Sequence, residues 1–417
     1  MARLKGAIFS LRDVVVRAGA FDPKLATEVG KLITWLSRAG VQPVFVSNHA
    51  WVAKMPDGTS KDLKIVLSEE WGEMPWYVAR NGDMPFKPKA DAMKYVLHRQ
   101  GWQPHEAIYV GNTEDDMKTA VNGNLLFLNA VWHGGASPYG YHFDSPLDVA
   151  RFVDCFCLSI GDWFWALERD DIKVYAVGPY STLSPQYAEA QQYSTHARDT
   201  AKHLGGDATF WGRLLAASVY LSGLGDEIDY IAPYPGHSPT SKQLVIGDAL
   251  SILASSLRKR YLPDLILRHT LAPKSQTARM QGKAVDPLDQ VNTIHLNQNP
   301  TKNQKGDRYI RSPLKAGKTI LVVDDICTEG NAFEAARAFI ENTGAKVICL
   351  AWLKTIKRDY HAFSKRPKLQ PYQVNKLTSA PLRNTHSFSG HIRNQEATAD
   401  IGQVFSRYYN WNWPIIE

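Results

Sequence analysis

The sequence KTILVVDDICTEGN, at residues 318–331, decides how the chain is interpreted. Residues 320–323 are apolar and mostly β-branched, which predicts a buried parallel strand. Two adjacent carboxylates, Asp324 and Asp325, follow it, and a Thr- and Gly-containing turn then leads into a helix-like segment at 332–340. Free N–H groups at a helix N-terminus favour a phosphate, and neighbouring carboxylates accept hydrogen bonds from hydroxyls. The stretch therefore predicts a sugar-phosphate site.

This stretch resembles the phosphoribosyl-pyrophosphate (PRPP) motif of type I phosphoribosyltransferases, which has four hydrophobic residues, two acids and a Thr/Gly phosphate loop. The resemblance implies that Asp324 and Asp325 bind the ribose 2′- and 3′-hydroxyls, while the loop binds the 5′-phosphate. Glu329 stands where the family usually has a second Thr, which is compatible with phosphate binding if its side chain points to solvent. An ordinary strand–helix turn with capping acids is the alternative. The loop residues expected to bind ligand are Cys327, Thr328, Glu329, Gly330 and Asn331.

Length and composition favour a globular protein with more than one domain. The 417 residues are enough for two or three domains, and 44% hydrophobic with 21% charged residues is ordinary for this class. The sequence has no run of 18 apolar residues, so no transmembrane helix is predicted and no membrane partner is expected. The four cysteines show no disulfide or zinc spacing, which suits a reducing cytoplasm.

The positive charge is concentrated near the C-terminal end. The formal net charge is +7, and residues 354–417 contain ten Lys/Arg and four Asp/Glu, a difference of +6. Interleaved basic and aromatic residues suit contacts with single-stranded nucleic acid. The same composition suits a segment that packs onto its own domain or forms oligomer contacts. We predict a basic, aromatic C-terminal extension at 356–417 and leave these roles open.

Strands and helices alternate over the first 130 residues, which predicts a doubly wound parallel sheet with polar strand ends along one edge. The order of these strand-end motifs resembles the haloacid dehalogenase (HAD) phosphatases, and we assign residues 1–145 to a HAD-like domain. In that family the nucleophile and the acid/base are aspartates, whereas this chain has Ser10 and Arg12. Neither carboxylate attack nor the family's Mg²⁺ site survives, so we expect a catalytically inactive domain. The matching positions are Ser10, Arg12, Ser47, Lys87, Asn112 and Asp116.

Two roles remain open for this first domain. Arg12, Ser47 and Lys87 would form a phosphate-sized pocket, in which a guanidinium favours an anion. The alternative is a scaffold for the second domain or for dimerisation. Residues 146–189 are rich in aromatic side chains and are expected to pack between the domains.

A second α/β pattern, at 190–355, resembles a type I phosphoribosyltransferase of the ComF-like branch. The resemblance rests on a Pro-x-Pro strand end at Pro233 and Pro235, followed by Arg268 and Thr270 before the PRPP motif. It implies that the turn after the first strand binds pyrophosphate and that a loop at 274–302 closes over the substrate. The composition of 292–305 fits a loop that orders only on binding. The residues expected at the pyrophosphate are Gly236, His237, Arg268 and Lys274, with Arg268 as the catalytic cation.

The leading hypothesis is a cytoplasmic protein with two doubly wound α/β domains that binds PRPP or a nucleotide together with Mg²⁺. Its reaction would be ribosyl phosphate transfer or cleavage with pyrophosphate as co-product or co-substrate. Asp324, Asp325 and Arg268 are the predicted catalytic residues. Such a fusion resembles components of bacterial accessory or anti-phage (retron-type) systems. The alternative is a non-catalytic nucleotide or PRPP sensor or scaffold, with a nucleic-acid or protein partner at the C-terminal segment or a homo-oligomer.

Overall fold

Two α/β modules, each built on a mainly parallel sheet, make up the protein in a computed structural model. The structure describes residues 1, 3–17, 20–55, 57–133, 138–169, 171–202, 205–240, 244–273, 286–302 and 306–414. Each of the two main sheets has six strands. The prediction of two parallel-sheet α/β domains is confirmed.

The first module places its polar strand ends side by side. Its elements are β1 (Gly6–Ser10), β2 (Val16–Arg17), β3 (Ala20–Phe21), α1 (Pro23–Arg38), β4 (Gln42–Ser47), β5 (Val52–Lys54), β6 (Ser60–Asp62), α2 (Leu63–Trp71), β7 (Trp76–Val78), α3 (Ala90–Gln100), β8 (Ala107–Gly111), α4 (Glu114–Asn122), β9 (Leu126–Ala130) and β10 (His142–Phe143). The main sheet has the order β10-β9-β8-β1-β4-β7, and all neighbouring strands are parallel. The carboxyl ends of β4, β1 and β8 therefore share one edge.

Helix α1 shows how the sequence produces these elements. Asp22 caps its N-terminus by accepting hydrogen bonds from two backbone N–H groups, and Pro23 occupies the first turn, where no intrahelical donor is needed. Val29, Leu32 and Leu36 recur at helical spacing and are buried. The helix therefore covers the sheet with one apolar face.

The second module follows in the chain and uses the same architecture. Its elements are α5 (Pro146–Phe152), β11 (Trp165–Arg169), β12 (Ile172–Tyr180), α6 (Ala190–Lys202), α7 (Ala208–Leu221), β13 (Tyr230–Pro233), α8 (Leu244–Ser256), β14 (Arg260–Tyr261), β15 (Ile266–Arg268), α9 (Leu288–Val291), β16 (Ile294–Leu296), β17 (Thr319–Cys327), α10 (Asn331–Glu341), β18 (Lys346–Thr355), β19 (Tyr360–Phe363), β20 (Arg383–His386) and α11 (Ala397–Tyr408). The sheet order is β11-β12-β18-β17-β13-β14, and only β11 runs antiparallel to its neighbour.

Some segments carry more regular structure than their composition indicated. The aromatic segment at 146–189 contributes β11 and β12 to the second sheet. The extension at 356–417 forms the antiparallel β19–β20 hairpin and α11. Part of the predicted 292–305 loop is a strand, since β16 pairs with β15 and its two buried apolar residues pack into the core of the second module.

A buried ion pair of the second module contacts the first module. The Arg213 guanidinium on α7 donates to both carboxylate oxygens of Asp148 on α5, at 2.7 and 2.6 Å. Arg213 also lies over the ring of Phe143 of β10, 4.8 Å from its centroid. Asp148 and Arg213 are both buried, and one apolar core runs from the first sheet into the second.

The four cysteines are all free and buried. Within the described part of the chain, no helix combines the length and apolar character that a membrane span requires.

Candidate functional site

The predicted sugar-phosphate residues lie at the carboxyl edge of the second sheet. Strands β13 and β17 are parallel neighbours, with Pro233 opposite Val323. The Tyr234 N–H continues this pairing by donating to the Val323 carbonyl at 2.8 Å. The turn that follows β13 therefore lies beside the two carboxylates of β17, as in other α/β sheets where ligands bind at this edge.

Asp324 and Asp325 are the last polar residues before β17 ends. Asp324 is half-buried, and Asp325 is 7% exposed. The Asp325 N–H donates to the Asp324 Oδ1 at 3.0 Å, which fixes the first carboxylate against the backbone.

The predicted phosphate loop leads into a helix N-terminus that has no side-chain cap. Helix α10 begins at Asn331, directly after Gly330, which occupies the cap position with φ +85° and offers no side chain to cap the helix. A Cβ built on Gly330 would lie 2.3 Å from the Tyr360 ring, so the ring and the backbone angle both require glycine. The first N–H groups of α10 therefore have no side-chain cap, which is the arrangement that binds phosphate at a helix terminus.

The negative charge of Glu329 in this loop has a cation, Arg358, nearby. Its Oε1 lies 3.8 Å from Nη1 of Arg358, and the Glu329 side chain is 22% exposed. The neighbouring Thr328 hydroxyl lies 2.9 Å from that of Thr355. The guanidinium of Arg358 offsets the charge that would repel a phosphate.

Cys327 contributes a neutral thiol to the loop. The side chain is buried, and burial raises the pKa of the Cys327 thiol to about 11. A thiol with this pKa is protonated at neutral pH, so it is neither a nucleophile nor an additional negative charge.

Arg268, the predicted catalytic cation, is buried and held by several protein acceptors. Its Nε donates to the Gly236 carbonyl, and Nη2 donates to the Pro235 carbonyl at 3.4 Å. Nη1 donates to the Thr293 hydroxyl at 2.5 Å, and Nη2 also reaches Gln290 Oε1 at 3.0 Å. Arg268 thus joins the turn after β13 to the α9–β16 segment, and its contacts are those of a residue that positions this turn.

The other predicted pyrophosphate residues are divided between this turn and the undescribed loop. Gly236 is half-buried and His237 is exposed. The His237 carbonyl accepts from the Ala272 N–H at 2.9 Å. Lys274 lies outside the described residues, so its predicted role stays a prediction.

Lys354 and Tyr360 support the phosphate loop from below, and the sequence analysis did not assign either to the site. Lys354 is fully buried, and its Nζ donates to the Thr328 carbonyl at 2.6 Å. The Tyr360 hydroxyl donates to the buried Glu334 carboxylate of α10 at 2.6 Å. The available signal was a lysine at the end of the apolar run VICLAWL, where a strand buried on both faces leaves no solvent for a charge.

In the first module, several residues at the positions that resemble HAD motifs take part in one hydrogen-bond network. Lys87 Nζ lies 2.8 Å from Asp116 Oδ1, 2.9 Å from the Tyr109 hydroxyl and 3.2 Å from Ser10 Oγ. An ammonium has three N–H donors, so these three acceptors satisfy it. The Lys87 side chain is 7% exposed and that of Asp116 is 2% exposed.

Asp116 is equally well satisfied. Its Oδ1 accepts from Lys87 and from Tyr109, and its Oδ2 accepts from the Thr113 hydroxyl at 2.8 Å. Burial alone would raise the pKa of Asp116, but the Lys87 ammonium and these hydrogen bonds outweigh burial and lower the pKa below its ordinary value.

The remaining HAD positions do not complete a phosphate pocket with Lys87. Arg12 is exposed. Ser47 Oγ donates to the His49 carbonyl at 2.7 Å and accepts from the indole of Trp51 at 2.9 Å. Asn112 donates through its amide to the Ala130 carbonyl. Of the donors predicted for a phosphate in this module, Lys87 and Ser47 are thus used by the protein itself.

The Mg²⁺ expected with PRPP would be carried mainly by the ligand. Among the described residues, no group of three or more His, Cys, Asp or Glu side chains could hold a metal ion. One or both carboxylates of β17 would join the phosphate oxygens around the ion. Mg²⁺ is ordinarily bound in this way, through one or two carboxylates plus substrate phosphates, and the residues present fit that arrangement.

Comparisons with known proteins give one family match, which lies in the second module, and weak similarities to solved structures. Residues 272–369 match the family model of the phosphoribosyl transferase domain. A search of curated proteins found no match. Among solved structures, the core domain of a protein described as a phosphoglycolate phosphatase from Streptococcus pneumoniae TIGR4 is 17% identical, with a TM-score of 0.27 and coverage of 37% of this chain and 97% of that one. A HAD-superfamily hydrolase from Geobacter sulfurreducens PCA is 12% identical, with a TM-score of 0.23 and coverage of 35% and 97%.

The two modules can now be assigned by their own features. The first has the order of strand-end motifs described above on a six-stranded parallel sheet. The second contains the matched segment, which includes the carboxylates of β17 and the start of α10. The second module therefore contains a segment similar to the phosphoribosyl transferase domain, and the likeness of the first module to HAD phosphatases stays one of strand-end motifs.

Proposed function

We propose that the second module binds Mg²⁺–PRPP, or the corresponding nucleotide, at the carboxyl edge of its sheet. The observation that carries this proposal is the uncapped N-terminus of α10 at the end of the short loop that follows Asp324 and Asp325. A ligand that offers a phosphate and vicinal hydroxyls on adjacent carbons satisfies both features. The matched phosphoribosyl transferase segment supports the same ligand class.

The proposed reaction is ribosyl transfer. A nucleophile forms a bond to ribose C1 while the bond from C1 to the pyrophosphate oxygen breaks, and the electron pair leaves with pyrophosphate. Bound Mg²⁺ would neutralise the charge that develops on the leaving group. The chain itself fixes the ribose through the β17 carboxylates and the 5′-phosphate through α10, which is catalysis by positioning.

The turn after β13 would receive the pyrophosphate. Arg268 holds the carbonyls of Pro235 and Gly236 on one side of the turn. We therefore propose Arg268 as a positioning residue, and the cation that touches pyrophosphate as a residue of the 274–302 loop, for which Lys274 is the candidate.

A non-catalytic PRPP or nucleotide sensor is the second candidate. The observation that favours it is the engagement of the Arg268 guanidinium by Thr293 and Gln290 as well as by the turn. A sensor needs the ribose and phosphate contacts and has no leaving group to stabilise. A role in bacterial accessory or anti-phage systems, the cytoplasmic location and a partner at the C-terminal segment stay predictions.

Calorimetric titration of Mg²⁺–PRPP into the unmodified protein tests the proposal. We expect binding that the Asp324→Asn/Asp325→Asn variant loses by at least tenfold, because each carboxylate acceptor becomes a neutral amide. Asp91→Asn is the control, since the Asp91 side chain is 77% exposed in the first module. Absence of binding to the unmodified protein would refute the proposal. Pyrophosphate release in a nucleobase screen then separates the enzyme from the sensor.

A further inference from the structure

Lys354 places a charge beneath the phosphate loop. Its side chain is fully buried at the end of β18, and its ammonium donates to the carbonyls of Thr328 and Arg358, at 2.6 and 2.5 Å. The rings of Trp165 and Phe388 flank it, with centroids 5.3 and 5.6 Å from Nζ. No carboxylate lies within ion-pair distance of this ammonium among the described residues.

Burial of the Lys354 ammonium without a carboxylate partner costs free energy. Burial lowers the pKa of Lys354, and the more distant carboxylates of Asp359 and Glu329 offset that effect only in part. Carbonyl oxygens and aromatic faces satisfy the ammonium but supply no formal counter-charge. A methionine of similar length would fill the same space without this desolvation cost. The charge is therefore better explained by an anion that binds nearby.

The lysine also sets the orientation of the loop backbone. In a trans peptide the C=O and N–H groups point in opposite directions. Because the Thr328 carbonyl points to Lys354, the following N–H, that of Glu329, points away from it. The next carbonyl, that of Glu329, accepts from the His361 N–H of β19 at 3.0 Å. Both carbonyls are thus turned toward β18 and the β19–β20 hairpin, so neither faces the ligand side.

Tyr360 fixes the end of the same loop. Its ring lies against Gly330, and its hydroxyl donates to Glu334 in the first turn of α10. Arg383, at the start of β20, donates to the Asn331 side chain at 3.0 Å. The hairpin of the C-terminal extension therefore contacts the loop and the first turn of the helix that follows it.

We propose that Lys354 is a positioning residue for the 5′-phosphate: it orients the 328–329 peptide toward the ligand and supplies the positive charge beneath the loop. The inference rests on the proposed function and deepens it. It predicts that Lys354 matters for ligands that carry the ribose 5′-phosphate and has little effect on pyrophosphate, which binds at the turn after β13.

The experiment compares Lys354→Met with the unmodified protein by calorimetry, using ribose 5-phosphate, PRPP and inorganic pyrophosphate, the last two with Mg²⁺. We expect ribose 5-phosphate and PRPP to bind about 10- to 100-fold more weakly, the range for a hydrogen bond to a charged group. Pyrophosphate affinity should change by less than twofold. Lys346→Met is the matched control, because Lys346 is exposed at the opposite end of the same strand.

Each outcome decides the inference. An unchanged affinity for ribose 5-phosphate would overturn it, and so would an equal loss for all three ligands, since that indicates a general structural defect. If Lys354→Met does not fold, Lys354→Gln replaces it, because the amide can still donate to the Thr328 carbonyl while the charge is removed. If the unmodified protein binds pyrophosphate but neither ribosyl ligand, the proposed function fails as well. Ribosyl binding that is insensitive to both variants refutes only the role of Lys354.

Discussion

Replacement of Lys87 by methionine tests whether the hydrogen-bond network around Lys87 stabilises the first module. The change keeps the length of the side chain but removes the ammonium that contacts Asp116, Tyr109 and Ser10. Asp116 is then left as a buried carboxylate without its cation. Loss of one partner from a buried ion pair costs about 3–5 kcal/mol. For a unit of 150–250 residues, this corresponds to a decrease in Tm of about 6–20 °C.

The assay is thermal and urea unfolding of the full chain, followed by Trp fluorescence and circular dichroism. Lys94→Met is the control, because the Lys94 side chain is 72% exposed and its replacement should change stability by less than about 0.5 kcal/mol. The double variant Lys87→Met/Asp116→Asn removes both charges and should recover part of the loss. A Lys87→Met protein as stable as the Lys94→Met control would refute the structural role of the network.

Three further predictions concern the loop, a half-buried histidine and the first module. Gly330→Ala should lower the free energy of unfolding by about 2–5 kcal/mol, because it combines a left-handed backbone angle with a clash against the Tyr360 ring. Gly344→Ala is the control, since Gly344 has the same φ of +85° but nothing closer than 3.4 Å, and its expected loss is about 1–2 kcal/mol. Equal losses in urea unfolding would contradict this prediction. Burial lowers the pKa of His196, so the unfolded chain takes up a proton that the folded protein resists. The contribution of this group to the free energy of unfolding should fall as the pH drops below about 6.5, by up to about 1.4 kcal/mol per pH unit. The pH dependence of stability between pH 7 and 5 should be shallower in His196→Phe than in the unmodified protein, and equal slopes would contradict this. The first module should not hydrolyse p-nitrophenyl phosphate, because the Lys87 ammonium and the Asp116 carboxylate beside Ser10 are paired with each other and neither is left to act as a base; turnover that Ser10→Ala abolishes would disprove this.

The parallel sheets could be predicted because each depends on local periodicity. The apolar residues at 320–323 and those at helical spacing in α1 are buried as expected. Asp324, Asp325 and Gly330 could be assigned to one site because they are close together in the chain. The contacts of Arg268 could not be predicted, since they join residues 22 to 33 positions apart and depend on how β15 and β16 pair.

Lys87 and Lys354 illustrate the same limit in different modules. Both side chains are buried, and the acceptors that make their burial tolerable come from distant strands or loops. Sequence reasoning assigned Lys87 to an anion pocket because its motif position is known, but could not detect that Asp116 and Tyr109 would take its donors. It counted Lys354 only in the net charge of residues 354–417, and the net charge of a segment gives no information about which lysine is buried.

The C-terminal extension spans the molecule from the phosphate loop to the first module. Tyr360 touches Gly330 at one end, while at the other end Trp411 packs edge-on against Trp35 of α1, with ring centroids 5.8 Å apart. The Trp411 indole also donates to Asp154 at 2.8 Å. Deleting this segment would therefore expose apolar surface on both modules and disturb the loop at once. A nucleic-acid role for the segment should instead be examined by charge reversal at exposed lysines such as Lys365 and Lys368, which leaves these anchors in place.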